Sequence, residues 1–202
     1  MFRSRGRRRK RQKRIRGARN QRTPLSIGEF TNFPTMNHGL AVISHQNTVT
    51  RIQHAIIQAL YSLNGHKDNY SVSVSGQSGA YEGELAFEVG VANGEFFDYL
   101  DEETLKELCD PLGSGGDYPF LDFLVIATYH YSRDGKKIPL IFDHHVLRFA
   151  FNGREVDISL FHIKGTRRIP LDEFLNIIIG KIVNEAKHSK LRAINLEKIW
   201  TL

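Results

Sequence analysis

Residues 146–163 constrain the fold more tightly than any other stretch of this chain. A β-prone run, Val146–Phe151, leads into Asn152-Gly153 and then into a second run, Val156–Ile163. Asn-Gly supplies two residues that tolerate positive φ, which the tight hairpin turns matching strand twist require. The two runs are therefore expected to lie antiparallel, and the sheet that holds them to be mainly antiparallel.

The rest of the chain fits around such a sheet. Tyr70–Ser75 alternates strictly, and Tyr81, Gly83, Leu85, Phe87, Val89 and Val91 alternate against Glu82, Glu84 and Glu88. With Gly76-Gln-Ser-Gly79 between them, these runs predict a hairpin with one apolar and one wet face. Residues 120–131 predict a long strand, turned by Arg133-Asp-Gly135 into the apolar stretch Ile138–Phe142. Three segments have helical spacing instead. Val49, Ile52, Ile56, Leu60 and Leu63 recur at steps of three and four behind Asn47 or Thr48 as a cap. A short helix is expected over 102–109, capped by Asp101 and closed before Pro111, with 112–117 (LGSGGD) as a loop. From Pro170, Leu171, Phe174, Leu175, Ile178, Ile182 and Val183 predict a helix to about His188. Ile177 and Ile179 widen its apolar stripe, which calls for a second burial surface: either the segment 191–200 or another subunit.

Charge divides the chain in two. Residues 1–22 hold twelve basic side chains and no acidic one, since the first carboxylate is Glu29. The whole chain has 28 Lys and Arg against 22 Asp and Glu, so 16 basic residues face 22 acidic ones beyond the arm. The modest net charge of +6 is thus an arm of +12 joined to a body of −6. An arm so charged, with Phe2 and Ile15 nearly its only large apolar groups, is expected to be disordered until a polyanion orders it. The expected organisation is a basic arm over 1–24, an irregular lead-in over 25–39, and one α+β domain over 40–202.

Several classes are set aside. One cysteine, Cys109, permits no internal disulfide and no all-Cys metal site, and places the chain in a reducing compartment. No apolar run approaches the roughly 18 residues of a membrane span, and the basic N-terminus lacks the apolar stretch of a signal peptide. A cytoplasmic protein, associated with nucleoid or ribosome, is expected.

The arm points to nucleic acid. Arg7, Arg8, Arg9, Lys10, Arg11, Lys13, Arg14 and Arg16 each can displace condensed counterions from a phosphate backbone, and the bias to Arg favours bidentate phosphate contact. Alternatives for such an arm are a nuclear or nucleolar address, an anionic-lipid anchor or a merely solvated tail. In the body, Lys164, Arg167 and Arg168 fall between a strand and the helix that begins near Pro170, where free backbone N–H groups and cations suit a phosphate. Tyr129, Tyr131, Phe149 and Phe151, with Phe161 nearby, lie near strand ends among Arg133 and Arg148. An aromatic and basic sheet face of this kind holds unstacked bases; the competing reading of each aromatic is core.

Asp143-His144-His145 echoes the signature of metal-dependent DHH phosphoesterases, in which carboxylates and imidazoles hold metals that activate water. Adjacent histidines on a strand point to opposite faces, however, and the further aspartate motifs of that family on parallel strands are missing from the pattern. A polar cluster at a strand end is the preferred reading. The glycine loop at 112–117 lacks a following GK[ST], and the acidic row Glu82, Glu84, Glu88 fits a solvated face.

Through HHVLRFAF (144–151) and LFHIKGTRRIPLDEFL (160–175), together with the order helix, antiparallel strands, long C-terminal helix, residues 40–188 resemble the ThermoDBP group of archaeal single-stranded-DNA-binding proteins. The resemblance implies a small antiparallel sheet paired with helices, binding of single strands along a cleft with exposed apolar groups, and oligomerisation. The chain is therefore expected to be a non-enzymatic binder of single-stranded DNA or RNA, without cofactor or metal, self-associating through its C-terminal helix. A ribosome-associated or particle-packaging RNA-binding protein is the alternative, and a metal-dependent phosphodiesterase using Asp143, His144 and His145 a more distant one.

Overall fold

A computed structural model describes residues 27–73, 80–133 and 136–202. The basic arm and the turns at Gly76–Gly79 and Asp134-Gly135 lie outside the described residues. In chain order the elements are β1 (Gly39–His45), α1 (Val49–Leu63), β2 (Lys67–Ser73), β3 (Ala80–Asn93), β4 (Phe96–Tyr99), α2 (Glu102–Gly113), β5 (Phe120–Arg133), β6 (Lys136–Asn152), β7 (Glu155–Lys164), α3 (Leu171–His188) and β8 (Ile194–Thr201). The strands form one sheet in the order β2-β3-β5-β6-β7-β1-β8, with β4 folded back onto β3. All these strand pairings are antiparallel, and the fold is α+β.

Local signals act where the spacing places them. Gly153, at φ +69°, turns β6 into β7 with Asn152 opposite Glu155. Thr48 caps α1 by accepting from the Arg51 N–H, and Asp101 caps α2 by accepting from the Thr104 N–H. Period-two alternation then sorts the sheet into two faces. Leu121, Phe123, Val125, Ala127 and Tyr129 of β5 face inward with Leu147 and Phe149 of β6, Ile158 and Leu160 of β7, and Leu85, Phe87 and Val89 of β3. This face is buried under α1 and α3, with Phe174 of α3 packed 6.4 Å from Phe87 between ring centroids. The opposite face carries Leu124, Ile126, Phe142, His144, Phe161, Leu40 and Trp200, all half-buried to exposed, together with the buried Asp122 and Val146.

Four features differ from the sequence reading. First, α2 continues through Pro111 to Gly113. The proline forfeits one backbone hydrogen bond in the last turn, and in exchange Leu112, expected in a loop, reaches the core at 4% exposure. Second, β6 is a single strand through Asp143-His144-His145, because Asp143 is buried in a hydrogen-bond network and His145 against the Phe174 ring rather than left at a strand end. Third, β1, β4 and β8 are strands that no strong local pattern announces. Fourth, Pro170 is the N-cap of α3 rather than its first helical residue.

The second surface for the α3 stripe is within the chain: β8 pairs with β1, and Ile199 of β8 joins Ile177 and Val183 against the core. The lead-in crosses the open face, where the Phe30 N–H donates to Asp122 Oδ2 at 2.7 Å. Among the described residues no helix is long and apolar enough to cross a membrane.

Candidate nucleic-acid interface

The loop between β7 and α3 is built around a buried carboxylate. Asp143, fully buried in β6, accepts from the Tyr129 hydroxyl at 2.7 Å and from the backbone N–H groups of Arg167 and Arg168 at 2.9 and 3.1 Å. His162 Nε2 stands 3.4 Å from its other side. Burial pushes the Asp143 carboxyl up, but these four hydrogen bonds outweigh it and hold the group below its ordinary range. Asp143 is therefore a charged hub, and the 164–168 loop wraps it.

That arrangement corrects one expectation. The N–H groups of Arg167 and Arg168 are not free for a phosphate, since Asp143 already takes both. Arg167 adopts φ +50° to present its amide inward while its side chain stays exposed. A ligand phosphate at this loop would meet the exposed side chains of Lys164 and Arg167, and the half-buried one of Arg168, rather than the backbone.

Strand parity divides the expected aromatic set. Tyr129 and Phe149 face inward and are fully buried, so neither ring offers a surface to a base. Phe151 and Tyr131 share their parity; Phe151 is half-buried against the core and Tyr131 is half-buried near the end of β5. Arg148 and Phe161 face the other way. Arg133 ends β5, but its side chain is outside those described, as are Arg7, Arg8, Arg9, Lys10, Arg11, Lys13, Arg14 and Arg16 altogether.

Arg148 is committed within the molecule. Its Nε and Nη2 donate to Asp122 Oδ1 and Oδ2 at 2.8 and 2.7 Å, and its guanidinium lies 4.2 Å from the Phe33 ring centroid and 4.7 Å from that of Phe120. Asp122 is fully buried, so this bidentate pair neutralises a charge in the sheet and pins the lead-in. It does not present a cation to solvent ligands.

The Asp143-His144-His145 triplet splits between the faces. His145 lies inward, stacked on Phe174 at 4.3 Å, and burial together with the nearby His162 pushes its pKa down to about 3. His144 lies on the open face, 5.0 Å from the Phe142 ring. The adjacent imidazoles diverge, so the three side chains cannot ligate one ion.

What the tertiary structure does assemble is a patch on the open face that the aromatic count along the sequence did not pick out. Lys164 pairs in register with His144, and its ammonium sits 5.4 Å from the Phe142 ring centroid. Phe142 is 46% exposed. His38 of the lead-in stacks on Phe161 at 4.4 Å with planes 17° apart. Burial and the positive charge of Arg167 lower the His38 pKa, favouring the neutral imidazole, whose Nδ1 accepts from the His162 N–H at 3.0 Å. On the neighbouring strands Leu40 pairs with Trp200, and Lys198 lies 5.8 Å from the Trp200 ring. Counting in steps of two from Arg148 along β6 reaches His144 and Phe142, which is the signal that would have found them. Lys164 joins the same face because a bulge between His144 and His145 shifts the β7 register by one residue.

Compared with models of known protein families, with curated proteins and with solved structures, the chain matches none.

Proposed function

We propose that this protein binds single-stranded nucleic acid without catalysing a reaction, capturing it with the basic arm and holding it on the open face of the sheet. The observation that carries this reading is the cluster of exposed aromatic and cationic side chains, Phe142, Lys164 and Arg167 beside the His38–Phe161 stack. Flat rings beside cations suit unstacked bases and their phosphates, and a duplex keeps its bases stacked away from such a surface. The arm adds twelve positive charges to a body whose own balance is −6, so long-range attraction resides in the arm and selectivity in the patch. The resemblance of residues 40–188 to the ThermoDBP group of single-strand binders points to the same class.

The test is a binding series with single- and double-stranded DNA and RNA across a range of salt, for the intact protein and for one lacking residues 1–24. Intact protein is expected to bind with steep salt dependence. The shortened protein is expected to bind more weakly yet keep a preference for single strands. Equal affinity for duplex and single strand after deletion would sink the assignment of selectivity to the sheet.

A further inference from the structure

Trp200, the chain's one tryptophan, stands 48% exposed on β8, the edge strand of the sheet. Register puts it on the open face. Ser159, Leu40 and Trp200 are opposite one another across β7, β1 and β8. Two residues along, Phe161 stacks on His38, and the His38 carbonyl accepts from the Leu202 N–H at 2.9 Å. Between these two rows a hollow of about 140 Å³ lies among Asn37, His38, Leu40, Trp200 and Leu202.

The groups on this face form a diagonal. Phe142 and Lys164, the Phe161–His38 stack, Leu40 with Trp200, and finally Lys198 follow one another from β6 over β7 and β1 to β8. With strands about 4.8 Å apart and residues about 3.3 Å apart along each, Phe142 and Trp200 are about 25 Å from each other. The two ends repeat one chemistry. Each has an exposed ring with an ammonium at its side, Lys164 at 5.4 Å from Phe142 and Lys198 at 5.8 Å from Trp200. Lys198 pulls only weakly on a phosphate, since Asp157 lies across Val42 from it and Glu197 precedes it. The first carboxylate accepts from the Asn152 side chain and the second from the Ser44 hydroxyl. Stacking therefore outweighs charge at this end.

We propose that Trp200 is a base-binding platform at the far end of a single-strand path. One base lies on the indole in the hollow beside Leu40 and Leu202, its phosphate meets Lys198, and the strand runs diagonally across the sheet to Phe142. This path presupposes the single-strand binding proposed above and gives it a second anchor. The hollow falls below the roughly 300–1,000 Å³ of sites that hold whole small molecules, so it suits a single flat ring. An exposed indole on an edge strand is otherwise a liability, because such edges invite pairing with a second chain. The charges of Glu197 and Lys198 on β8 discourage that pairing, whereas a base covers the ring without using the strand's backbone.

Because Trp200 is the one tryptophan, its emission in the full-length protein reports on the site directly. Binding of a fluorescein-labelled oligothymidylate of about 12 nucleotides, read by anisotropy, is compared with quenching of Trp200 by the unlabelled oligonucleotide. Saturable quenching with the same midpoint is expected. Heparin, a polyanion without bases, is expected to occupy the arm and leave the emission unmoved. Trp200→Ala is expected to weaken oligothymidylate affinity by about fivefold or more, and Trp200→Phe, which keeps a ring, by less. Neither is expected to change the slope of log affinity against log salt, since no phosphate contact is lost. An oligonucleotide that binds without moving the emission, quenching equalled by heparin, or an unweakened Trp200→Ala variant would overturn the path to β8 and leave the single-strand reading standing. Absence of binding by anisotropy overturns the single-strand reading itself. Emission that shifts with protein concentration alone assigns Trp200 to contact between two copies and overturns the proposal.

Discussion

Gly165 passes so close over Asp143 that a β-carbon on it would collide with Oδ1 and stand 2.6 Å from the Phe142 carbonyl oxygen. The glycine sits at φ +118°, in a region side chains rarely enter, and this is what lets the next residues deliver two backbone N–H groups to the carboxylate. The exposed cations of the patch and the buried hub are thus one construction, joined by a residue with no side chain.

Substituting Gly165 by alanine is therefore expected to destabilise the protein by about 3 kcal/mol, the combined penalty of a positive φ and a clash against fixed backbone. Gly180, inside α3, gives the contrast, since a β-carbon there would meet nothing within 4 Å. Gly180→Ala is expected to stabilise by about 0.5–1 kcal/mol. Urea midpoints at unchanged m-value distinguish the two signs.

Asp143→Asn retains the shape of the hub and removes its charge. The hydrogen bonds from Tyr129 and the Arg167 and Arg168 amides weaken or lose geometry, and a cost of about 1–3 kcal/mol is expected. Because the loop that carries Lys164 and Arg167 loosens with it, single-strand affinity is expected to fall too. Unchanged stability would show that the carboxylate does not organise the loop.

Removing Arg148 leaves Asp122 as an unpaired charge inside the sheet. Arg148→Ala is expected to cost about 3–5 kcal/mol. Arg148→Lys is expected to recover only part of this, since an ammonium neither forks onto both carboxylate oxygens nor lies flat between Phe33 and Phe120. Thermal denaturation of both variants measures the difference.

Acid is expected to unfold the protein in two stages. His145 is held neutral by burial and by His162, with Asp143 opposing and Arg167 and His144 adding to the depression to about 3. A histidine lowered on folding contributes stability that is complete above its unfolded value near 6.5 and is lost as pH falls from there toward about 3. Asp143, also lowered, contributes above the ordinary carboxylate value near 4 and loses that contribution below it. His145→Phe, which keeps a ring against Phe174, is expected to reduce the first stage, leaving the smaller share of His38, His45 and His144, whose pKa values are also lowered. Urea midpoints measured between about pH 7 and 4 test the window.

On the open face, the K164A/R167A variant is expected to lower the slope of log affinity against log salt by about 1.4 for single strands, the value for two lost phosphate contacts. Phe142→Ala, removing one stacking surface, is expected to weaken binding by about 1 kcal/mol or more while leaving that slope unchanged. A Phe142→Ala variant that binds as wild type does would remove this ring from the interface.

By itself the sequence determined the elements whose rules are local: the Asn152-Gly153 hairpin, the caps at Thr48 and Asp101, the amphipathic helices α1 and α3, and the division of charge between arm and body. Those depend on residues within a turn or two of each other. Only the tertiary structure decided that β8 closes the sheet beside β1, that Asp143 belongs inside rather than at a strand end, and which aromatics reach the surface. Tyr129 and Phe142 look alike as strand aromatics, yet one is buried and the other exposed. Which side of a strand is covered depends on where α1 and α3 pack, and the bulge opposite His144 resets parity in β7 through a pairing between residues distant in the chain.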